Sequence, residues 1–323
     1  MKKPLIGVLL LNMGGPDSLD DVGPFLYNLF SDRDIIKLGP ALLQKPLARL
    51  IAGRRAPLSR KMYRKIGGRS PLKAITQRQA EALATALAAD GTFHVSIAMR
   101  YWQPSAAKAL TELVDLGAEA IVALPLYPHY SRATTGSSLK DLRQAQEKIA
   151  PRIPLLEIPS WPDHPLYIEA LAAMIEQGLQ HFAGEPSQIV YSAHSLPVSL
   201  IDAGDPYVDE LNRTINALER RTRLTGRLSY QSRSGPVNWL SPSTTEMIKT
   251  IGEEGYRNIL MVPISFVSDH LETLYEIGLL FREQAATLGI RLRPTKSLNT
   301  SPRFIDCLTS LVRSRLSAGF TPR

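Results

Sequence analysis

Histidine and carboxylate side chains in the second half of the chain could bind a metal ion or accept a proton. His194 lies just beyond Gln188–Ser192, an apolar run that is typical of a buried strand. Glu272 and Glu276 lie four residues apart, in a segment whose predicted helix cap is Ser268 or Asp269. A neutral imidazole can ligate a metal or take up a proton, and carboxylates facing a cleft can pass cations or collect protons. These residue types therefore indicate metal handling or proton transfer.

Each of these residues also has a purely structural interpretation. A single histidine is more often a packed or surface residue than a ligand. Two glutamates four apart share a helix face, where like charges exposed to solvent cost only about a few tenths of a kcal/mol, so exposure is the simpler interpretation. The segment His270–Glu272 does not form the His-Glu-x-x-His zinc motif, which argues against a metalloprotease.

Motifs of two further reaction classes are missing. Ser192 and Ser195 flank His194, but no G-x-S-x-G elbow surrounds either serine, so acyl transfer is not indicated. The segment Met13–Pro16 lacks both the G-x-G-x-x-G pattern and the P-loop lysine, so nucleotide binding is not indicated. Its glycines are better explained by a tight turn and the close approach of a ligand.

The elements that must position these residues form an alternating series of strands and helices. Strand-like runs separated by amphipathic helical segments predict an α/β protein with two doubly wound, Rossmann-like lobes and parallel sheets. We place the boundary near residue 125, giving lobes of residues 1–125 and 126–301, and expect the last helix, within 302–323, to pack back on the first lobe. The predicted strands are Leu5–Leu11, Phe93–Met99, Ala120–Leu124, Pro154–Ile158, Gln188–Ser192, Arg227–Gln231 and Asn258–Val262.

Polar, aromatic and glycine-rich segments directly follow six of these predicted strands. In open α/β sheets, ligands bind at the carboxyl ends of the strands, so a cleft between the two lobes could collect all six segments as an active site. The segments are Asn12–Pro16, Arg100–Trp102, Pro125–Ser131, Ala193–Pro197, Ser232–Pro236 and Pro263–Phe266.

The composition is that of an ordinary globular protein. The 323 residues are 44% apolar and 21% charged, no stretch approaches the roughly 20 apolar residues of a membrane span, and the apolar run after Met1 is too short for a signal peptide. The single cysteine, Cys307, can form no internal disulfide and cannot supply the four ligands of an iron–sulfur cluster. We therefore expect a cytoplasmic protein.

The net charge of +8 does not by itself select a partner, but the placement of the basic residues is informative. The basic stretch Lys45–Arg69 overlaps the leucine-rich segment Leu42–Ile51. A basic face beside an apolar one suits an anionic membrane surface or an amphiphilic ligand better than nucleic acid, and predicts peripheral membrane contact. A solvated helix with extended arginine side chains explains the same pattern equally well.

An ordered series of short motifs gives the chain a resemblance to the ferrochelatase family along nearly its whole length. The matching segments are Asn12–Pro16, Tyr63–Pro71, Met99–Trp102, Leu126–Pro128, Thr134–Ser138, Ser192–Pro197, Gly204–Tyr207, Gln231–Arg233, Gly235–Pro236, Trp239–Leu240, Ser268–Glu276 and Ser297–Asn299. The resemblance implies a chelatase-like fold and an enzyme that inserts Fe²⁺ into protoporphyrin IX, releasing two protons and forming haem in the last step of haem biosynthesis. It also implies that iron is a substrate, that no organic cofactor takes part, and that no iron–sulfur cluster is present, since the cluster-binding cysteines of some relatives are absent.

The resemblance also implies roles for individual residues. His194 matches the family's histidine on one side of the porphyrin, acting as base, metal ligand or both, and Glu272 matches its partner. Glu276 would extend a row of carboxylates that begins at Glu272, which we call the acidic rail. Three residues match positions that meet the porphyrin propionates or the cleft wall, namely Arg64, Ser70 and Tyr127. Met13 lies where some coproporphyrin-using members carry tyrosine, which favours protoporphyrin.

The chain departs from the family pattern at several positions. Gly278 and Leu280 stand where members often continue the acidic rail, and Arg69 replaces a common glycine, adding either a propionate partner or a surface charge. On a regular α-helix, side chains four residues apart differ in direction by about 40° around the helix axis. Close alignment of Glu272 with Glu276 therefore predicts a π-type widening of the helix.

Other functions stay open from the sequence. A coproporphyrin III ferrochelatase, or a related enzyme inserting cobalt or nickel into another tetrapyrrole, would use a similar site. A non-catalytic porphyrin or haem carrier would bind the ring without needing Glu272. A nucleotide-binding regulatory domain is a more remote alternative, and the sequence does not indicate an oligomeric state.

Overall fold

Two four-stranded parallel sheets organise the chain in the computed structural model, which describes residues 4–233, 235 and 237–319. Each sheet belongs to its own structural unit: the first runs to Trp161 and resumes at Phe304, and the second spans Pro162–Arg303. Of the sequence predictions, Ser234 and Pro236, together with residues 1–3 and 320–323, lie outside the described residues. The predicted α/β class with two parallel sheets is confirmed.

The first unit contains a sheet of order β2-β1-β3-β4, whose strands are β1 (Leu5–Asn12), β2 (Thr92–Met99), β3 (Ala120–Pro125) and β4 (Leu155–Glu157). Its helices are α1 (Val22–Ser31), α2 (Gln44–Lys65), α3 (Leu72–Leu87), α4 (Ala106–Asp115) and α5 (Ser137–Ile149), with a 3-10 turn at Ala41–Leu43 and a π-helical turn at Arg132–Gly136. All strand pairs are parallel, so helices cross over between them.

Buried aliphatic side chains of β1, β3, α4 and α5 form the main core of the first unit. Leu9, Leu110, Leu113 and Ile121 are fully buried there, and each such side chain contributes about 1.5–3 kcal/mol relative to exposure. A Cβ at Gly7 would lie 2.9 Å from the Leu113 side chain, so glycine permits this close packing of helix on sheet.

The boundary between the units lies later than the sequence predicts. β4 pairs with β3 through Ile121 and Leu155, so the chain between residue 125 and β4 completes the first sheet. Trp161 closes the unit, since its indole N–H donates to the carbonyl of Pro125 over 3.1 Å. The boundary expected near residue 125 therefore falls inside the first sheet, and the division comes after Trp161.

The second unit contains a sheet of order β6-β5-β7-β8, whose strands are β5 (Gln188–His194), β6 (Gly226–Gln231), β7 (Asn258–Pro263) and β8 (Arg291–Pro294). Its helices are α6 (Pro165–Leu179), α7 (Val198–Asp202), α8 (Tyr207–Thr222), α9 (Thr244–Glu253) and α10 (Phe281–Thr287), with a 3-10 turn at Gln180–Phe182 and a π-helix at Glu272–Leu280. β5 and β7 are almost wholly buried, which explains their apolar sequences.

The final helix, α11 (Pro302–Gly319), belongs to the first unit from Phe304 onward. The Arg313 guanidinium pairs with Asp90 at 2.7 Å, and that of Arg315 donates to the Glu157 carbonyl at 2.9 Å. The chain thus returns to its first sheet after completing the second. Among the helices that the structure describes, none has the length and apolar character needed to span a membrane.

Candidate functional site

His194 is the last residue of β5, so the strand runs two residues further than predicted and ends on the imidazole. The backbone there is held from both sides: the His194 N–H donates to the Ser265 hydroxyl at 3.0 Å, and the Tyr207 hydroxyl donates to the His194 carbonyl at 3.0 Å. The imidazole meets the Phe266 ring edge-to-face, with centroids 6.0 Å apart. The sheet therefore fixes the position of this histidine.

The His194 imidazole is neutral at physiological pH. Burial lowers its pKa, the nearby positive charge of His270 acts in the same direction, and the negative charge of Glu272 opposes them only in part. Among the described residues no hydrogen-bond partner of the ring is found. A neutral imidazole with a free nitrogen can accept a proton or ligate a metal.

His270 is a second histidine of this site, and its ring is almost fully buried. Its Nδ1 lies 3.0 Å from the Ser268 carbonyl, and its Nε2 lies 2.9 Å from a carboxylate oxygen of Glu272. A carbonyl can only accept, so Nδ1 carries a proton, whereas the contact of Nε2 with Glu272 is a close ion pair without hydrogen-bond geometry. Burial acts to lower the pKa of His270, but the charge of Glu272 prevails and raises it, which favours the protonated imidazolium form.

Glu272 is held as a carboxylate by these two histidines. Burial alone would raise its pKa, but the positive charge of the adjacent His270 and the influence of His194 lower the pKa to about 2. The side chain keeps 20% of its surface exposed, so the charge is supported by the protein yet accessible from one side. Glu272 therefore presents a permanent negative charge beside a neutral histidine.

The π-helix Glu272–Leu280 begins at the first glutamate and carries the second one four residues later. Its turns are wider than those of an α-helix, which confirms the predicted widening. Glu276 accepts a hydrogen bond from the Ser232 hydroxyl at 2.8 Å. Burial and the negative charge of Glu272 raise the pKa of Glu276 to about 7. Unlike Glu272, it can exchange a proton near neutral pH.

The acidic rail has no third carboxylate at Gly278. A Cβ there would lie 3.3 Å from the Thr273 carbonyl oxygen, so a longer side chain would require a small local shift. Leu280, at the other family position, ends the π-helix and is partly buried. The two carboxylates of this helix are therefore Glu272 and Glu276.

A reciprocal pair of hydrogen bonds fixes the loop that leads into the π-helix. The Asp269 N–H donates to the Asn299 side-chain oxygen at 2.9 Å, and the Asn299 amide donates back to the Asp269 carboxylate at 2.8 Å. Asn299 has a positive φ of 44°, a conformation that asparagine tolerates better than most residues. This pair of hydrogen bonds, which we call the Asn299 clamp, fixes the backbone next to His270 and so helps to position its ring near Glu272.

Four of the predicted substrate-binding residues lie in the first unit. Met13 directly follows β1, and its carbonyl accepts a hydrogen bond from the Tyr101 N–H at 3.0 Å. Ser70 is buried, and its N–H donates to the Pro16 carbonyl at 2.9 Å. Tyr127 follows β3 and burial raises its pKa, whereas Arg64 is exposed in the last turn of α2.

The close contact between Gly15 and Ser70 joins two of the predicted segments. A Cβ at Gly15 would lie 2.5 Å from the Ser70 side chain, closer than any real contact, so only glycine fits. The structure therefore brings the turn after β1 against the start of α3. The other three predicted residues, His194, Glu272 and Glu276, form their own group in the second unit.

A polar network behind the first group was not anticipated from the sequence. Asp32, at the end of α1, receives hydrogen bonds from the Arg100 guanidinium at 2.9 Å, the Tyr101 hydroxyl at 2.8 Å and the Ser137 hydroxyl at 2.5 Å. Burial would raise the pKa of Asp32, but these partners lower it. The network holds the segment after β2 against α5, and the chain separation of its members explains why sequence inspection missed it.

The described residues contain no group of three or more His, Cys, Asp or Glu side chains placed to hold a resident metal ion. His194 and Glu272 could offer one nitrogen and one oxygen ligand from one side.

Comparison with known proteins points in one direction. The family model described as Ferrochelatase matches residues 5–316. A ferrochelatase of Desulfotalea psychrophila is 59% identical over 95% of this chain and 96% of its own length, and one of Geotalea uraniireducens is 50% identical over 96% and 98%. Among solved structures, SirB from Bacillus subtilis with Fe³⁺ has a TM-score of 0.57 at 12% identity, covering 99% of this chain and 98% of its own. At such identity the structural likeness shows the fold alone.

Proposed function

Because the chain belongs to the ferrochelatase family, and so inserts metal into a porphyrin for haem synthesis, we propose that it delivers Fe²⁺ to protoporphyrin IX through His194 and Glu272. The observation that supports these roles is the pairing of a neutral imidazole with a carboxylate that His270 holds in its charged form. The two groups offer a proton acceptor and a cation-attracting charge on the same unit.

The reaction requires that two pyrrole N–H protons leave the porphyrin while Fe²⁺ binds its four nitrogens. The neutral His194 imidazole accepts the two pyrrole protons one after the other, releasing the first before it takes the second, since its lowered pKa leaves the ring nitrogen unprotonated. Glu272 stays ionised and attracts the incoming cation rather than the proton. Its fixed charge also stabilises the imidazolium that forms when His194 is protonated.

Glu276 has the properties of a proton relay toward solvent. With its pKa raised to about 7, it can take up and release protons during turnover at neutral pH. The π-helix places it on the same face as Glu272, and Ser232 orients its carboxylate. Protons would leave by this route, and cations would enter along the same pair of carboxylates.

The first unit would contribute the porphyrin-binding residues. Arg64 is a flexible, exposed guanidinium suited to a propionate, for which arginine offers two parallel hydrogen bonds. Ser70 and Tyr127 offer hydroxyl groups next to the turns after β1 and β3. Enzymes of this type gain rate by binding the distorted ring more tightly than the flat one, which needs several such contacts.

The choice of protoporphyrin IX rests on Met13. Protoporphyrin carries apolar vinyl groups where coproporphyrin III carries two further propionates, and a thioether side chain suits the apolar edge. The test is kcat/KM for the two porphyrins, measured anaerobically with Fe²⁺ for wild type and Met13→Tyr. Wild type should prefer protoporphyrin and the variant should lose part of this preference; a wild-type preference for coproporphyrin would overturn the substrate assignment.

We propose that no organic cofactor and no iron–sulfur cluster takes part. Clusters require four cysteine thiolates, whereas this chain has Cys307 alone, and that residue is buried in α11. Protein purified under anaerobic conditions should turn over without added cofactor. A visible charge-transfer band accompanied by bound inorganic sulfide would contradict this proposal.

Exposed leucines near the start of α2 support contact with an anionic membrane. Leu42 is 92% exposed and Leu43 is 50% exposed, while Arg49 and Arg55 lie further along α2, over the rings of Tyr27 and Phe30. Such a basic and apolar surface would bring a cytoplasmic enzyme to the lipids that dissolve its substrate. Sedimentation with anionic vesicles tests the idea.

The vesicle experiment has a matched control within the chain. Leu42→Ser combined with Leu43→Ser should reduce binding to anionic vesicles, whereas Leu116→Ser should not, although Leu116 is also about half exposed at 49%. Equal binding of both variants, or no binding by wild type, would remove the membrane contact from the proposal and leave the enzymatic assignment untouched.

A further inference from the structure

The outer edge of the first sheet is an unpaired strand. β2 pairs with β1 on one side only, and the Arg100 N–H donates to the Asn12 carbonyl, so the even-numbered residues of β2 bond toward β1. The N–H and C=O groups of Phe93, Val95 and Ile97 therefore face outward, and no partner for them is found in the described part of the chain. Such an edge is a template for another strand.

A groove of about 980 Å³ runs along this edge. Its floor includes Phe93, Val95 and Ile97, and its walls are formed by α3 on one side and by Glu112 of α4 on the other. The edge is therefore not covered by a helix or loop, which is the usual protection of a free strand. The structure leaves room for an added strand.

Charges at the two ends of the groove have opposite signs. Arg69 and Lys73 lie at the end where α3 begins; Lys73 is paired with Asp17 at 3.1 Å, and Arg69 has no partner among the described side chains. Glu81 lies toward the other end of α3, near the start of β2, as does Glu112. Asp17 also lines the basic end, and Arg78 lines the groove one helical turn before Glu81, so the two ends differ in net charge rather than being purely basic and purely acidic.

We propose that a second copy of this chain occupies the groove, with the two β2 strands pairing antiparallel about a twofold axis at Val95. The axis places Val95 opposite Val95 of the other copy and Phe93 opposite Ile97, so all the free edge groups form hydrogen bonds. It also brings the basic end of each groove to the acidic end of the other. A twofold interface must be self-complementary, and this edge meets that condition in both hydrogen bonding and charge.

The side chains at the seam provide an independent argument. Ser96 is only 6% exposed, and its hydroxyl has no hydrogen-bond partner within the described residues, which is costly for a buried polar group. Pairing about Val95 sets Ser96 opposite His94 of the other copy, in the close, non-hydrogen-bonded position of the ladder. The imidazole of His94 is partly exposed; its Nε2 contacts Glu112 at 3.1 Å, and its Nδ1 can supply the missing partner.

Sedimentation equilibrium of the full chain over a concentration series tests the proposal. Wild type should dimerise, and Val95→Pro should abolish dimerisation because proline removes the central outward N–H from both copies. The Val95 N–H makes no bond to β1, so the fold should survive, as checked by circular dichroism. A wild type that stays monomeric at every concentration would overturn the proposal.

Charge reversal gives a second test that does not depend on proline. Arg69→Glu and Glu81→Arg should each weaken dimerisation by about tenfold or more, and the double variant should regain most of the wild-type association because the ends are exchanged. Reversal of the exposed pair Lys249 and Glu253 is the control and should change nothing. A dimer insensitive to both single reversals, or a double variant that stays dissociated, would refute the antiparallel pairing.

Discussion

Replacing His270 with glutamine should remove the positive charge that does most to keep Glu272 ionised. His270→Gln keeps a neutral donor near the position of Nε2, 2.9 Å from the carboxylate, but removes the positive charge. The pKa of Glu272, now about 2, should rise because burial is then opposed mainly by a hydrogen bond and by the weaker influence of His194. The variant should therefore lose both stability and iron-insertion activity.

The magnitude follows from the burial of the pair. Removing one partner of a fully buried ion pair costs about 3–5 kcal/mol, whereas an exposed pair contributes about 0–1 kcal/mol. His270 is 5% exposed and Glu272 is 20% exposed, so the pair is close to the buried limit. Because glutamine can donate one neutral hydrogen bond to the carboxylate, we expect a loss of about 2 kcal/mol in the free energy of unfolding near pH 6.

The pH dependence of this loss is specific to the pair. His270 has a raised pKa in the folded state, so its contribution is complete below the ordinary value of 6.5 and disappears as the pH rises through the folded value. Glu272 has a lowered pKa, so its contribution is present above 4.5 and is lost as the pH falls toward about 2. The difference between wild type and variant should peak between these limits.

Urea unfolding of wild type and His270→Gln at several pH values measures the effect, with haem formation measured in parallel. The kcat should fall by about tenfold while the KM for porphyrin changes little, since the variant weakens transition-state electrostatics rather than binding. Lys249→Gln, which breaks an exposed ion pair, is the control and should cost at most about 0.5 kcal/mol. A stability difference independent of pH, or an unchanged kcat, would refute the reasoning.

Three further predictions concern the same elements. Glu276→Gln should remove an inflection near pH 7 from the pH profile of kcat/KM, and an unaltered profile would exclude the relay. Because the pKa of Glu276 is raised in the folded state, the wild type loses stability as the pH rises from 4.5 through about 7, so the variant should be the more stable protein at pH 8. Gly15→Ala places a Cβ 2.5 Å from the Ser70 side chain and should lower the free energy of unfolding in urea by about 1–3 kcal/mol. The control Gly53→Ala has open space around the new Cβ within a helix and should raise it by about 0.5–1 kcal/mol. Equal effects of the two variants would contradict the packing argument. Asn299→Ala removes both hydrogen bonds of the clamp before the π-helix and should lower kcat with little change in porphyrin KM, so an unchanged kcat would show that the clamp does not position the site.

Local patterns in the sequence were sufficient to predict the layered architecture. Alternation of apolar runs with amphipathic segments gave parallel sheets, because strands buried on both faces must be apolar throughout their length. β8 was missed, since its sequence Arg291–Pro294 is short and only Leu292 is buried. The boundary was misplaced because the pairing of β4 with β3 joins residues more than 30 positions apart and leaves no local sequence signal.

The candidate site was predicted in part for a similar reason. His194 could be anticipated as a strand-end residue, and the π-type widening of the helix that carries Glu272 and Glu276 was predicted from their spacing. His270 was passed over, although a histidine two residues before a predicted ligand was a usable signal. Its role depends on the loop clamped by Asn299, a contact across 30 positions that spacing does not reveal.

The central claim, that His194 accepts the proton and Glu272 attracts the iron, is tested most directly by single-turnover haem formation. Wild type, His194→Ala and Glu272→Gln would each be saturated with protoporphyrin, checked by fluorescence, and mixed anaerobically with Fe²⁺ while haem absorbance is followed. We expect both variants to bind porphyrin and to insert iron about a hundredfold more slowly or worse, in line with the loss of a general base or of a preorganised charge. Insertion at the wild-type rate by either variant, with porphyrin fully bound, would contradict the account.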